Sequence, residues 1–339
     1  MALKIGIQPS FFVARRLTSF TSARDSFAFF QAYGSFPDIP PGGASLLERA
    51  EIIITPQDKS WNWFCSVLQS SSKLRELRSS RKDLSVPWHD LERVTLFHRA
   101  GANITDCYNI LATAHQLECA DIFIASTTIS TFSSPLQHNL TKLILATYFS
   151  IDTLLDSLKL PLLQTLSLQC YAHKGEIAVS YSNLASFLTR SSCSLKVLDL
   201  SKIEFDDRET RLCLEHSAIR NSLVELSLAG SLNIACLAVP SDANVPCLVP
   251  NLEGLQLEAV VPIICKEGVL SEVVMSRVDS TLTPAKARRL KNITIDLGST
   301  RNHFELDIAR LQGLQTPGLD FSLKITTDYD RVTSLKSPR

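Results

Sequence analysis

One phrase of apolar and polar positions returns along this chain. Its leucines stand at Leu140, Leu143 and Leu145, at Leu163, Leu166 and Leu168, and at Leu195, Leu198 and Leu200. Leu223, Leu226 and Leu228 repeat the spacing, as do Leu252, Leu255 and Leu257. The last two leucines of each phrase are two residues apart, so a strand turns both to one face and their polar neighbours to the other. Weaker copies begin at Leu47, Leu74, Leu91, Leu117 and Leu290. From Leu47 to Leu290 the mean spacing is about 27 residues, with irregular intervals.

Between phrases the apolar period lengthens from two to that of a helix. Trp61, Phe64, Cys65 and Leu68 share one helical face. Ile104, Cys107, Ile110, Leu111 and Ala114 share another, with Asn103 placed to cap it. Further helices are expected over 150–158, 182–189 and 206–216, over Val269 to Val274, and over Phe304 to Leu311. Phe321, Leu323 and Ile325 alternate like a closing strand.

The phrase is the strand signature of a leucine-rich repeat. The expected fold is α/β: a curved leucine-rich-repeat solenoid of about ten irregular repeats. Its parallel sheet would line the concave face, with helices outside. No repeat can bury its leucines alone, so stability must come from stacking. Standard repeats carry Asn or Cys eight residues after the first leucine. Here that place holds Arg99, Tyr148, Tyr171, Ile203, Ser231, Val260 and Gly298. Each turn must therefore be satisfied in its own way.

The repeats are expected over 45–325. Residues 1–44 read as a poorly ordered arm ending in a Pro/Gly linker, and 326–339 as a polar tail. Met1 to Arg24 lacks acids, as transit peptides do, but its phenylalanines show no amphipathic period.

Composition narrows the function. The chain has 34 basic and 34 acidic residues, so no net field draws in nucleic acid or an anionic membrane. No apolar run is long enough to span a bilayer. The cysteine count is 9, odd and without a C-x-x-C pair, which reads as reduced core thiols in cytoplasm or nucleus. Phosphate loops and hydrolase or zinc-protease motifs are missing from the sequence. Cys119 and the scattered histidines have no spacing that suggests a nucleophilic pair. No catalytic residue, metal site or cofactor is expected, and an enzyme working through Cys and His stands as the rival class. Trp61, Trp63 and Trp88 gather near the start, where they close the first repeats or dock a partner.

The expected partner surface is the sheet face opposite the leucines. Its candidate contacts are Arg93, Phe97, Lys142, Ile144, Gln169, Asp199, Glu225, Gln256, Glu258 and Asp296. The early rows are basic and the late rows acidic. That order is either a solvated face or a gradient that orients a protein partner.

Several phrases carry a more specific likeness. They are Ser72 to Leu77, Val86 to Leu91, Leu160 to Leu166, Leu188 to Lys196 and Val249 to Leu255. In order and spacing, residues from about Leu47 to Leu323 resemble the C-terminal leucine-rich region of the F-box-like proteins of mushroom-forming fungi. The resemblance implies a substrate-holding role in a cullin–RING ubiquitin ligase. It covers only the substrate half, because the F-box opening and its later Cys/Trp element are missing from residues 1–46. A leucine-rich scaffold without a ubiquitin role is the alternative. This chain is therefore predicted not to retain the cullin adaptor. A stable stoichiometric complex in a pull-down with purified adaptor would contradict that.

Overall fold

The computed structural model describes residues 27–30, 49–52, 74–79, 96–126, 132, 134–171, 179–201, 203, 205–229, 234–240, 242, 244–258, 267–278, 287–297, 304–314, 318–326 and 332–336. At 27–30, 49–52, 79, 96–100, 229, 325–326 and 332–336 the description is of the backbone. The fold is mixed α/β with a large parallel sheet. The chain divides into two compact units: Met1–Phe149 with Ser157–Leu160, and Ser150–Asp156 with Pro161–Arg339.

The first unit contains β1 (Phe27–Phe30), β2 (Arg49–Ile52), β3 (Glu76–Ser79), β4 (Leu96–Asn103), α1 (Ile104–Thr113), β5 (Cys119–Ser126), β6 (Leu136–Gln137), β7 (Lys142–Thr147) and β8 (Leu158–Lys159). Strands β1 to β5 and β7 pair in parallel, each with the next in that order. Strands β6 and β8 make a small parallel pair of their own. The segment expected as an arm thus contributes β1 to this sheet. Asn103 caps α1 as its sequence suggests: Asn103 Oδ1 accepts from the Asp106 N–H at 2.7 Å, and the Asp106 side chain returns the bond.

The second unit contains α2 (Asp152–Asp156), β9 (Thr165–Cys170), α3 (Tyr181–Ser191), β10 (Val197–Leu200), α4 (Asp207–Glu215), α5 (Ser217–Arg220), β11 (Glu225–Ala229), β12 (Gly254–Glu258), α6 (Val269–Val278), β13 (Asn292–Asp296), α7 (Glu305–Gln312), β14 (Asp320–Thr326) and β15 (Val332–Lys336). Strands β9 to β14 run parallel in chain order, and β15 closes antiparallel on β14. The polar tail therefore contributes a strand as well. Because strand order follows chain order, crossovers of one hand all place their helices on one face.

The register explains the core. Leu166, Leu198, Leu226, Leu255, Ile293 and Phe321 stand in one row across the strands. Leu200, Leu228, Leu257, Ile295 and Leu323 form the next row, beside Leu168 on β9. All of these are buried, as are Leu143 and Leu145 of the first unit. The first leucine of the phrase is buried too, from Leu140 and Leu163 to Leu252 and Leu290.

A backbone motif repeats with the leucines. At the second position of a phrase, one carbonyl accepts two successive N–H groups from the next phrase. The carbonyl of Gln164 takes Lys196 and Val197 at 2.8 and 3.0 Å, and that of Lys196 takes Val224 and Glu225 at 2.8 and 2.9 Å. Val224 serves Glu253 and Gly254 likewise, Glu253 serves Lys291 and Asn292, and Glu118 serves Thr141 and Lys142 in the first unit. The turns after the strands differ, as the missing asparagine requires. Thr147 Oγ1 accepts from the Phe149 N–H after β7, while Asp199 Oδ1 accepts from the Ser201 N–H after β10.

Between β11 and β12 the described residues make a 3₁₀ turn, Ile234–Leu237, and an irregular strap. Arg277 of α6 holds it. Its side chain is fully buried and donates to the carbonyls of Leu237 (2.6 Å), Leu248 (2.7 Å) and Val249 (3.3 Å). Val249 sits at φ 45°, a region a β-branched residue avoids. Desolvation lowers the Arg277 pKa from its ordinary value, and the neighbouring Cys247 thiol opposes that shift. Next along, α6 and α7 cap each other. Buried Asp307 accepts from the N–H groups of Gly268 (2.8 Å) and Ser271 (2.6 Å), and Glu267 accepts from Leu306 N–H (2.9 Å).

Leu198 lies in the middle of this packing, aligned with Leu166 on one side and Leu226 on the other. Leu198→Ala is expected to cost about 2–5 kcal/mol, the range for a fully buried leucine. Urea unfolding measures it, and a loss below about 1 kcal/mol would mean that the row is not a packed core.

Candidate functional site

On β9–β14 of the second unit, the sheet face opposite the leucines is polar and patterned. Its middle row runs Ser167, Asp199, Ser227, Gln256, Thr294 and Ser322, one residue from each of six neighbouring strands. At about 4.8 Å per strand the row extends about 24 Å. The row before it is Thr165, Val197, Glu225, Gly254, Asn292 and Asp320. In the row after it Glu258, Asp296 and Lys324 stand side by side.

At the β9–β10 end the side chains bond to one another. Tyr171 Oη donates to Gln169 Oε1 at 3.1 Å, and Gln169 Nε2 donates to Ser167 Oγ at 3.3 Å. Ser167 Oγ donates to Asp199 Oδ2 at 2.7 Å. The other Asp199 oxygen takes the Ser201 N–H at 2.9 Å. The chain of bonds starts at an exposed ring and ends at a buried hydroxyl: Tyr171 is 43% exposed and Ser167 5%. Glu225 stands out into solvent on β11. A Cβ at Gly254 would lie 3.1 Å from Glu225 Cγ, so the glycine leaves room for the glutamate stem.

The expected contact residues divide between the units. On the second, Gln169 and Asp199 are half-buried and hydrogen bonded, Glu225 and Gln256 are exposed, and Glu258 and Asp296 are half-buried. On the first, Lys142 is exposed and Ile144 half-buried. Arg93 and the three tryptophans lie outside the described residues. Phe97 takes an unexpected register. Its backbone aligns with Leu77 and Ala120, both buried, while the row through Lys142 passes through Leu96 instead. Strand β4 thus enters the sheet one residue out of step with its phrase, and a register irregularity follows between Arg99 and Ala102.

Position parity places Ser167 on this face, whereas sequence reasoning missed Tyr171 and Lys324 as parts of it. Tyr171 drew notice only as the residue standing where an asparagine was expected. Its spacing of two from Gln169 and four from Ser167 was the available signal.

Among the described residues, burial shapes the Cys and His chemistry. The seven cysteines in described segments are thiols. Burial pushes Cys193 up to about 11 and Cys213 up to about 12, and raises Cys119 and Cys236 as well. Such thiols stay protonated at neutral pH, where the thiolate is the nucleophile. Burial lowers the pKa of His138 and His216. His138 Nε2 donates to the Ala114 carbonyl at 2.9 Å, and its buried Nδ1 has no hydrogen-bond partner. His216 Nδ1 accepts the Ala218 N–H and opens α5. Among the described residues there is no group of three or more His, Cys, Asp or Glu placed to hold a metal, and no helix is long and apolar enough to cross a membrane.

No protein-family model matches the chain, and no curated protein matches it. The face must therefore be interpreted from its own chemistry.

Asp199 organises one end of that face. Asp199→Ala strands the Ser167 hydroxyl and the Ser201 N–H, and is expected to cost about 1–3 kcal/mol. Asp199→Asn keeps acceptor oxygen and shape, and is expected to cost less than half as much. Equal unfolding midpoints for wild type and Asp199→Ala would show that the bonds add nothing.

Proposed function

We propose that the chain is a leucine-rich-repeat solenoid that binds another protein across its polar sheet face. It acts by holding that partner, with no catalytic step and no cofactor. The observation that carries this is the contrast between the two faces of β9–β14. Inward positions are Leu, Ile and Phe with Cys170, while outward positions are Ser, Thr, Asp, Glu, Gln, Asn and Lys324, with Val197 the largest apolar exception among those described. A parallel sheet covered on both faces would be apolar on both. This one is made to meet water or a hydrated partner. The mean spacing of about 27 residues and the chain-order parallel pairing support the repeat assignment.

Charge selects the kind of partner. Asp199, Glu225, Glu258 and Asp296 lie on four successive strands, with Glu258 directly opposite Asp296 and so well within a Debye length of about 8 Å at physiological salt. Their fields favour a basic protein segment and speed its approach. Asp199 is engaged within the sheet, and Glu225, exposed on β11, is the acid best placed to reach outward.

The resemblance to F-box-like proteins supports a substrate-holding role in a ubiquitin ligase. A leucine-rich scaffold without that link is the alternative. Thiol cysteines favour the cytoplasm or nucleus as the working compartment.

The test is kinetic. Glu225→Gln with Glu258→Gln should slow association with a partner captured by the full chain several-fold at low salt. The difference should vanish as salt rises. Equal rates at all salt concentrations would place the partner elsewhere on the protein.

A further inference from the structure

We infer that the Tyr171 end of this face seats an arginine side chain of the bound protein. The inference rests on the protein-recognition reading above and names the chemistry of its anchor. A polar face gains little from contact alone, and binding energy gathers at a few rigid aromatic residues. Among the described outward residues of β9–β14 and the turns that follow them, Tyr171 supplies such a ring, 43% exposed. It rises on the same side as Gln169 and Ser167, two and four residues before it. Its hydroxyl is tied to Gln169 Oε1 at 3.1 Å, which fixes the ring over the end of β9. A ring already held loses little freedom on binding.

The groups beside the ring are rich in acceptors and negative charge. The Asp199 carboxylate offers about four lone-pair positions, of which Ser167 and Ser201 take two. Gln169 Oε1 accepts from Tyr171 and keeps a second lone pair. Farther off, exposed Glu225 stands on β11 in the row of Thr165 and Val197 and adds its charge to the same face. No lysine or arginine occurs at the described outward positions of β9, β10 and β11. An aromatic face next to oriented acceptors fits a flat cation with many donors. A guanidinium stacks on the ring and points its N–H fork at the oxygens. An ammonium is compact and strongly hydrated and meets the same site as a point charge.

The probes are three synthetic Gly/Ser peptides of equal length, bearing four arginines, four lysines or four citrullines. They are titrated onto the full chain at low salt by fluorescence anisotropy. The arginine peptide should bind about two- to fivefold more tightly than the lysine peptide, the range of an exposed cation–π contact. The citrulline peptide should bind weakest. Tyr171→Ala should bring the arginine and lysine affinities together, while Tyr171→Phe keeps the ring and most of the preference. Asp199→Asn should weaken the arginine peptide without unfolding the chain, as checked by circular dichroism. Equal affinity for arginine and lysine in the wild type, or a preference that survives Tyr171→Ala, overturns the seat. If Glu225→Gln with Glu258→Gln still weakens both cationic peptides in that case, the seat is wrong and the recognition face stands. If no peptide binds and those glutamate changes leave partner association untouched, both readings fall.

Discussion

Everything in the sheet depends on one alignment between neighbouring phrases. A single carbonyl at the second phrase position accepts two N–H groups from the phrase that follows. That double acceptance sets where each strand begins relative to the last. Side chains alternate with a period of two, so a slip by one residue would send every leucine to the solvent face. Fixing the start therefore fixes which residues are buried. The buried first leucine works with it, because it anchors the chain just before the strand opens. Neither contact exists within a single phrase, which makes the stability collective.

Where the repeat loses its usual parts, the protein substitutes others. Among the described residues between β11 and β12 there is a 3₁₀ turn in place of an α-helix, and Arg277 holds the strap with donors aimed at three of its carbonyls. The charge is buried without a carboxylate among these contacts, and carbonyl dipoles with one thiol take its place. Burying a charge this way costs desolvation, offset only while the geometry is complete. The reciprocal caps of α6 and α7 follow the same logic. Each helix supplies the carboxylate that satisfies the other's opening N–H groups, so the two must be placed together. On the outward face, Asp199 satisfies the turn after its own strand and bonds the hydroxyl of the strand before it. It serves the fold first, and its charge remains for a partner to feel.

Much was legible in the chain itself. The leucine spacing identified the inward rows, Asn103 marked the start of one helix as its cap, and the helix expected over 206–216 opens at Asp206. The candidate face followed from parity alone, and Gln169, Asp199, Glu225, Gln256, Glu258 and Asp296 all lie on it in the second unit. Phe97 escaped that reasoning. Its phrase begins at Leu91, yet pairing with β3 and β5 sets the register one residue away. A degraded phrase carries too few leucines to hold its own parity, so the neighbouring strands decide it.

What the sequence determined by itself is periodic and local: which residues face inward, which cap helices, and where charge accumulates along the chain. Those properties depend on backbone geometry within a few residues. Only the tertiary structure decided which side chains meet. Tyr171 reaches Gln169 from just beyond the same strand, but Ser167 reaches Asp199 across 32 positions of chain, and Arg277 reaches Leu237 across 40. Such encounters depend on strand register and loop path, which no local pattern encodes. For the same reason the division into two units left no mark in the phrase. The repeat states how one strand follows another, and the distribution of contacts over the whole chain settles where a compact body ends.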